Sequence, residues 1–195
     1  ALGLLLGETA LSAAQYAQAF GDPGSGPGEI LWAIRAPRVV AAAVVGAALG
    51  LAGAVMQGLL RNPLADPGVL GVSAGAGLGA SLAIALGLAA IPGGTEAAAL
   101  VAALATGLLL TALAARFREP ETLILFGVAL SAFAGALTSL IFNLSPSPVT
   151  TAEILSWLMG SVANRSWSDI GWELAPMTLG VAFCVYAARG LVMLP

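Results

Sequence analysis

The residue types that most catalytic sites need are absent from this sequence or stand in the wrong context. The chain has seven Arg, no Lys and no His. Without histidine a Ser-His-Asp or Cys-His nucleophilic site cannot form, and without lysine there is no Walker A side chain for nucleotide phosphates. Gly71–Gly75 matches the G-x-S-x-G nucleophile elbow, but that motif needs a preceding strand and a histidine base. We therefore expect no catalytic site, no metal site and no bound cofactor in this chain.

Two arginines, Arg35 and Arg38, flank Pro37 where an apolar run begins. Arginines at such positions commonly anchor a membrane span at the lipid–water interface. A guanidinium also binds carboxylates in bidentate fashion, so the pair could dock acidic side chains of a soluble partner. The residues leave both interpretations open, and Pro37 predicts that a helix begins there.

A second polar feature is the eight-residue stretch Arg61–Gly68, which contains two prolines. Its candidate contact residues are Arg61, Asn62, Pro63, Asp66 and Pro67. The prolines are expected to stop one helix, and Asp66 is expected to cap the next element, with Pro67 at its first position. A simple helix–helix turn needs fewer residues, so the stretch also suggests a contact surface.

These polar residues are isolated in a chain with very few charges. Charged residues make up 9% of the sequence and hydrophobic residues 59%, whereas an ordinary soluble domain has roughly 25% charged residues. The formal net charge of -3 disfavours a nucleic-acid partner, because phosphate binding needs a basic face. We conclude that the lipid bilayer is the main solvent of this chain.

Five apolar runs are long enough to cross a bilayer, which takes about 20 residues. The predicted spans are residues 39–60, 69–91, 97–115, 122–144 and 170–188, all in one transmembrane domain that covers residues 1–195. Residues 7–36 are predicted to form a surface segment. Thr150–Glu153 is typical of a capping box and predicts the start of a short helix before the fifth span. Four tryptophans near span ends predict an aromatic belt: Trp32, Trp157, Trp167 and Trp172.

Glycines recur at a spacing of four in two of these spans. Gly46 and Gly50 form one such pair, and Gly71, Gly75 and Gly79 form a double one. Small residues at this spacing let helix backbones approach closely in lipid. Helix packing is the simpler interpretation, and it is compatible with the alternative that these glycines line a substrate path.

Four motifs occur together and in order in this chain. They are R-x-P-R from Arg35, the glycine-rich span ending at Gln57, RNPLADPGVLGVSAGA from Arg61, and ILSWLMGSVANRSWSD at Ile154–Asp169. In this combination the sequence resembles the permeases of ferric-siderophore, haem and cobalamin ABC importers, the FecCD type. The resemblance runs from about Gly7 to Leu194.

The resemblance implies a fold and a set of partners. The fold would be an all-α, polytopic transmembrane helix bundle, the N-terminal part of a ten-helix importer permease in the bacterial inner membrane. The cargo would be a ferric-siderophore-like chelate. The partners would be a second permease copy or homologue, cytoplasmic ATPase subunits that hold ATP and magnesium, and a periplasmic substrate-binding protein.

The resemblance also implies roles for individual residues. Arg35 and Arg38 would face the periplasm and receive glutamates of the binding protein, and the Arg61–Gly68 loop would be cytoplasmic. Residues near the translocation path or its gate would be Ser73, Ala74, Gly75, Thr138 and Ser139.

The chain departs from the family pattern at both ends. Only Ala1–Leu6 could belong to the family's first span, and the chain stops at Pro195, before the segment that grips the ATPase. We therefore expect a fragment, a truncated gene model or a degraded copy. The alternative class is a non-ABC membrane protein, either a secondary carrier or a structural membrane subunit. The absence of a carboxylate within the spans disfavours a proton-driven carrier.

Overall fold

The computed structural model describes residues 2–5, 7, 9–117, 120–145 and 147–192. All regular structure in these residues is helical, which confirms the predicted all-α membrane fold. The helices are α1 (Leu2–Leu5), α2 (Ala13–Gly21), α3 (Gly26–Leu60), α4 (Val72–Ala85), α5 (Gly94–Arg116), α6 (Pro120–Leu144), α7 (Pro148–Met159) and α8 (Trp167–Val192). Short 3₁₀ turns cover Pro67–Leu70 and Leu88–Ala90.

Three of the described helices are long and apolar enough to cross a membrane. They are Gly26–Leu60, Gly94–Arg116 and Thr122–Leu144, and they contain the predicted spans 39–60, 97–115 and 122–144. The predicted span 170–188 lies within α8, whose interior holds Pro176. The segment predicted to lie at the surface, residues 7–36, contains α2 and the first turns of α3.

The predicted span 69–91 is not one continuous helix. Gly71 and Gly87 have φ angles of 77° and 76°, in the left-handed region, and they bound α4 on either side. With 14 residues, α4 is about 21 Å long, which is shorter than the roughly 30 Å hydrocarbon core of a bilayer. Apolar composition alone therefore did not reveal that the helix of this run is interrupted at Gly71 and Gly87.

The chain forms two compact units, one from Ala1–Val55 with Ser161–Pro195 and the other from Met56–Gly160. In the first unit, Ser12 and Gln15 form a reciprocal capping box at the start of α2. The Trp32 indole Nε1 donates a hydrogen bond to the Ala19 carbonyl at 3.0 Å, and its ring meets the Phe20 ring edge-on at 5.7 Å. These contacts hold the end of α2 against α3.

Pro37 does not begin a helix, contrary to the prediction, because α3 passes through it. Residues Ile30–Arg35 form a π-helical segment within α3, and the Ala36 N–H donates to the Leu31 carbonyl five residues back. A proline ring clashes with the carbonyl four residues before it. The wider π turn directly before Pro37 relieves that clash, so the helix continues.

The second unit has α4 at its centre, packed on α5 and α6 and contacted by α7. Helices α4 and α7 approach each other closely, since a Cβ at Gly77 would lie 2.9 Å from Leu158 Cδ2. Helix α7 begins at Pro148 after the N-cap Ser147, whose Oγ accepts the Val149 N–H at 3.3 Å. The predicted start at Thr150–Glu153 is therefore wrong, because a serine cap followed by proline starts the helix earlier.

Candidate docking and translocation residues

The two arginines predicted to dock a soluble partner lie on one helix in opposite environments. Arg38 is exposed. Arg35, the last residue of the π-helical segment, is only 6% exposed. In this structure Arg38 is therefore open to an acidic side chain of a partner, whereas Arg35 is covered by its own chain. The docking role stays a prediction for the pair.

The guanidinium of Arg35 is covered by residues that precede it by 19 to 31 positions. Its Nη1 donates to the Leu4 carbonyl at 3.0 Å and to the Tyr16 hydroxyl at 2.9 Å, and its Nη2 donates to the Thr9 carbonyl. The Tyr16 hydroxyl in turn contacts the Leu5 carbonyl at 3.0 Å. These hydrogen bonds tie the N-terminal segment to α3.

A second cluster of polar contacts lies at the start of α8. The Trp167 indole Nε1 donates to the Trp32 carbonyl at 2.8 Å, joining residues 135 positions apart. The Ser166 N–H and Oγ each contact Asp169 Oδ2 at 2.8 Å. These hydrogen bonds hold the pKa of Asp169 below its ordinary value. Arg165 and Glu173 form an ion pair at 3.9 Å, on side chains that are one third exposed, so it contributes little.

The Arg61–Gly68 loop has a defined conformation and an exposed surface. Asn62 Oδ1 accepts the Leu64 N–H at 2.9 Å, and Asp66 Oδ1 accepts the Gly68 N–H at 2.7 Å, as expected for a cap of the following turn. The Gln57 amide Nε2 donates to the Pro63 carbonyl at 3.0 Å. The most exposed apolar side chain of the loop is Leu64, at 88%.

The loop begins with a C-terminal cap of α3. The Asn62 N–H donates to the Gln57 carbonyl at 3.2 Å and the Arg61 N–H to the Gly58 carbonyl at 3.4 Å, which is the Schellman pattern. Arg61 stands at the left-handed position, with φ of 48°, where glycine is the usual residue. The left-handed conformation strains an arginine, so nothing in the local backbone explains why the residue here is Arg61.

The residues expected near a path or gate lie in two separate places in the second unit. Ser73 is exposed in the first turn of α4, Ala74 is half-buried beside it, and Gly75 is buried. On α6, Thr138 and Ser139 donate to the carbonyls of residues 134 and 135 at 2.9 and 3.0 Å. Thr138 lies two turns, about 10 Å, beyond the part of α6 that contacts the start of α4. No hydrogen bond among the described residues joins the two groups.

The glycines singled out by spacing also differ in their surroundings. At Gly75 a Cβ would overlap Thr106 Oγ1 of α5, and at Gly79 it would lie 2.5 Å from Ala102 Cβ. At Gly71 it would lie 2.8 Å from the Gly127 carbonyl of α6. Within the first unit, no described atom lies within 4 Å of a Cβ built at Gly46 or at Gly50.

Three residues with clear structural roles were missed by sequence reasoning. Tyr16 and Gly7 surround the Arg35 guanidinium, and Gln57 fastens the loop after α3. Only Gln57 carried a signal, since it is one of few polar residues in an apolar run. Tyr16 and Gly7 lie in an unremarkable segment, and their partner is more than 15 residues away.

A solved structure shares this arrangement of helices. A chain from an ABC transporter in an inward-facing conformation, provisionally assigned to the metal-chelate type, superposes with a TM-score of 0.82 and 31% sequence identity. The match covers 97% of the present chain and 58% of that chain. The fold is therefore the helical membrane fold of an ABC transporter permease.

The chain belongs to the FecCD transport family, whose model matches residues 1–195. The predicted family is thereby confirmed. YvrB of Bacillus subtilis, named as an uncharacterised ABC transporter permease protein, is 44% identical over 168 residues, which cover 83% of this chain and 47% of YvrB. The vitamin B12 import system permease BtuC of Citrobacter koseri is 38% identical over 166 residues, 84% of this chain and 50% of BtuC. BtuC of Salmonella newport is 39% identical, with coverage of 84% and 51%. The chain spans about half the length of these relatives.

Proposed function

We propose that this chain belongs to the transmembrane permease subunit of a binding-protein-dependent ABC importer in the bacterial inner membrane. Its cargo is a ferric-siderophore-like chelate. Separate cytoplasmic ATPase subunits bind and hydrolyse ATP with magnesium, so the chain itself needs no catalytic site and no cofactor. A second permease copy or homologue forms the path with it, and a periplasmic binding protein delivers the cargo.

The observation that carries this proposal is the match of the whole chain, residues 1–195, to the FecCD family. The arrangement of α3 supports it. Arg38 lies near the start of the apolar part of this helix and Leu60 ends it. The 22 helical steps from Arg38 to Leu60 rise about 33 Å, close to the thickness of the hydrocarbon core. In our proposal Arg38 lies toward one membrane face and the Arg61–Gly68 loop toward the other.

We assign different partners to these two ends. Arg38, as an exposed guanidinium, suits bidentate contact with a carboxylate of the binding protein on the periplasmic side. The Arg61–Gly68 loop, with an exposed leucine on a hydrogen-bonded scaffold, suits contact with an ATPase subunit on the cytoplasmic side. Ser73, Thr138 and Ser139 contribute hydroxyls to the path, with Ala74 and Gly75 beside it.

The chelate class rests on the relatives. BtuC is named for import of vitamin B12, which is a cobalt chelate, and the superposed structure is assigned to the metal-chelate type. Both support a bulky metal chelate as cargo. Within that class we choose a ferric siderophore over haem and cobalamin. Competition of unlabelled haem or cobalamin with uptake of the labelled siderophore distinguishes the three.

The test uses the permease reconstituted with its ATPase and its binding protein in proteoliposomes. We expect ATP hydrolysis that rises with binding-protein concentration, and ATP-dependent accumulation of a radioiron-loaded siderophore. Replacing Arg38 by glutamate should raise the half-saturating binding-protein concentration about tenfold or more, since a like charge then faces the carboxylate. Arg116→Glu, at the C-terminal end of α5, serves as the matched control and should leave that concentration unchanged.

Two outcomes would contradict the proposal. Uptake that follows a proton gradient and ignores the ATPase would favour a secondary carrier. Absence of any cargo uptake together with intact assembly would favour a structural membrane subunit. Uptake of cobalamin or haem in place of the iron chelate would contradict the siderophore assignment and leave the importer class in place.

A further inference from the structure

The connection between α4 and α5, residues 86–93, consists of apolar residues that the structure leaves exposed. We call it the apolar loop. Its large side chains are Leu86, Leu88 and Ile91, which are 67%, 39% and 56% exposed. No residue of this loop has a side chain that can form a hydrogen bond. Contiguous exposed apolar surface of this kind marks a site of contact with a protein or a membrane.

The backbone of the apolar loop is largely paired within its own hairpin. The N–H groups of Leu86 and Gly87 donate to carbonyls of the last turn of α4, each at 3.0 Å. Those of Ala90 and Ile91 donate to carbonyls three residues back, at 3.2 and 3.0 Å, and Pro92 has no N–H to satisfy. Backbone that enters hydrocarbon must satisfy its polar groups internally, because no water is available there. This pairing therefore suits a segment that lies in lipid.

Glycines make the apolar loop a compact turn. Gly87 and Gly93 have φ angles of 76° and 75°, which glycine adopts without strain. A Cβ at Gly94 would overlap the Leu88 carbonyl and would lie 3.3 Å from Ile91 Cβ, so the chain folds back closely on itself. The three large side chains are therefore presented by a defined backbone rather than by an open connection.

Helix α5 places the apolar loop at the boundary of the bilayer. This span runs for 23 residues from Gly94 to Arg116, which gives about 34 Å, slightly more than the roughly 30 Å hydrocarbon core. The loop directly precedes its first residue, and Glu96 lies in its first turn. A carboxylate is costly in hydrocarbon, so Glu96 belongs at the level of the headgroups. The adjoining loop is then within reach of the upper parts of the acyl chains.

A protein partner fits the apolar loop less well than lipid does. Protein interfaces surround an apolar centre with polar groups and form about one hydrogen bond per 100–200 Å². The apolar loop offers no side chain for such bonds. The Arg61–Gly68 loop, which precedes α4, has two charged residues and side chains that cap its backbone. The two loops that flank α4 thus differ in the kind of surface that they can bind.

We propose that the apolar loop inserts into the bilayer, contacts phospholipid acyl chains just below the headgroups and anchors the α4–α5 hairpin at that depth. Interfacial elements with an apolar face insert to about 5–10 Å in this way. The proposal needs only that the chain resides in a membrane, and it does not depend on the importer function proposed above.

The first experiment measures the depth of the loop with a nitroxide spin label. Leu88→Cys and Ile91→Cys are made singly in a Cys184→Ser background, and each labelled permease is reconstituted in phosphatidylcholine vesicles. Power saturation by electron paramagnetic resonance then compares collisions of the label with oxygen and with a polar nickel chelate. Oxygen concentrates among acyl chains and the chelate in water, so at both positions oxygen should win by about fivefold or more. Ala163→Cys, in the exposed loop after α7, is the control and should favour the chelate.

The second experiment tests whether apolar side chains hold the loop in lipid. With the label at position 88, Ile91→Asp should lower the ratio of oxygen to chelate collisions about threefold or more, because a carboxylate draws the loop toward water. Ile91→Val keeps an apolar side chain and should leave the ratio unchanged.

Two results would overturn the proposal. Labels at positions 88 and 91 that meet the chelate as often as the label at position 163 would place the loop in water. Labels that meet neither reagent would show that protein covers the loop. Neither experiment uses an ATPase, a binding protein or a cargo, so its failure and the failure of the importer assignment are seen separately.

Discussion

The two units of this chain are stabilised by different interactions. In the first, side chains of α2, α3 and α8 bind backbone carbonyls far away in sequence, as Arg35 and Trp167 do. In the second, α4 and the preceding Gly71 approach α5 and α6 so closely that a single added methyl group at Gly71, Gly75 or Gly79 would overlap a neighbour. The first unit therefore depends on hydrogen bonds between residues distant in sequence, and the second depends on glycines that leave room for close helix packing.

The glycines show what this difference teaches. Gly46 and Gly50 have the same spacing as Gly71 and Gly75, but within the first unit nothing described lies against them. Spacing of small residues predicts that a helix can be approached closely. It does not predict which helix approaches it, or whether the neighbour belongs to the same unit.

The largest expected effect is that of Gly75→Leu. The new side chain would overlap Thr106, so we expect the free energy of unfolding to fall by about 3 kcal/mol or more. Unfolding in mixed detergent and SDS micelles measures this loss. Gly50→Leu is the matched control and should cost far less. The smaller change Gly75→Ala should also destabilise the protein. Combining it with Thr106→Ala should restore part of the lost stability, since the second change removes the hydroxyl that the new methyl group would overlap. Equal losses for Gly75→Leu and Gly50→Leu would remove the distinction between the two units.

Alanine substitutions at Gly71 and at Gly46 are expected to change the free energy of unfolding by smaller amounts and in opposite directions. Gly71→Ala should destabilise by about 2 kcal/mol, because its φ of 77° is left-handed and Gly127 lies against it. Gly46→Ala should stabilise by about 0.5–1 kcal/mol, since alanine favours a helix interior and meets no described neighbour in its unit. The same unfolding assay tests both. Destabilisation by Gly46→Ala would show that another surface packs on α3 there.

The first unit is probed by Trp167→Phe. This change keeps an aromatic ring but removes the N–H that donates to the Trp32 carbonyl, so a loss of about 1 kcal/mol is expected. Trp172→Phe is the control, because Trp172 is 83% exposed. Tryptophan fluorescence during unfolding reports both variants. A loss for Trp172→Phe as large as that for Trp167→Phe would remove the hydrogen bond as its cause.

The smallest effect is the pH dependence at Asp169. Hydrogen bonds from Ser166 lower the pKa of this carboxyl in the folded protein. Its stabilising contribution is therefore complete above the ordinary pKa of 3.8 and is lost as the pH falls through the lower folded value. Asp169→Asn should remove this part of the pH dependence of the unfolding midpoint. A carboxyl that stabilises more at low pH than at high pH would contradict the assigned hydrogen bonds.

Part of this molecule could be predicted from residue patterns. The apolar runs located α5, α6 and the greater part of α3, since hydropathy over about 20 residues governs partition into lipid. The linked motifs around Arg35–Ala80 and Ile154–Asp169 identified the family. Asp66 could be recognised as a cap because its partner, the Gly68 N–H, is two residues away.

The remainder depended on interactions that leave no local pattern. The burial of Arg35 follows from carbonyls that precede it by 26 to 31 residues, and backbone acceptors have no sequence signature. The passage of α3 through Pro37 depends on a π turn, whereas a proline at a helix start is the commoner arrangement. The breaks at Gly71 and Gly87 need positive φ angles that hydropathy does not register.

The Arg61–Gly68 loop has a consequence for binding thermodynamics. Its backbone is already held by side-chain acceptors from Asn62 and Asp66 and by the Gln57 amide, so little conformational entropy remains to be lost when a protein covers it. Full burial of Leu64 would contribute about 1.5–3 kcal/mol, a factor of roughly ten to a hundred in affinity. A preorganised loop can therefore bind firmly through one projecting leucine.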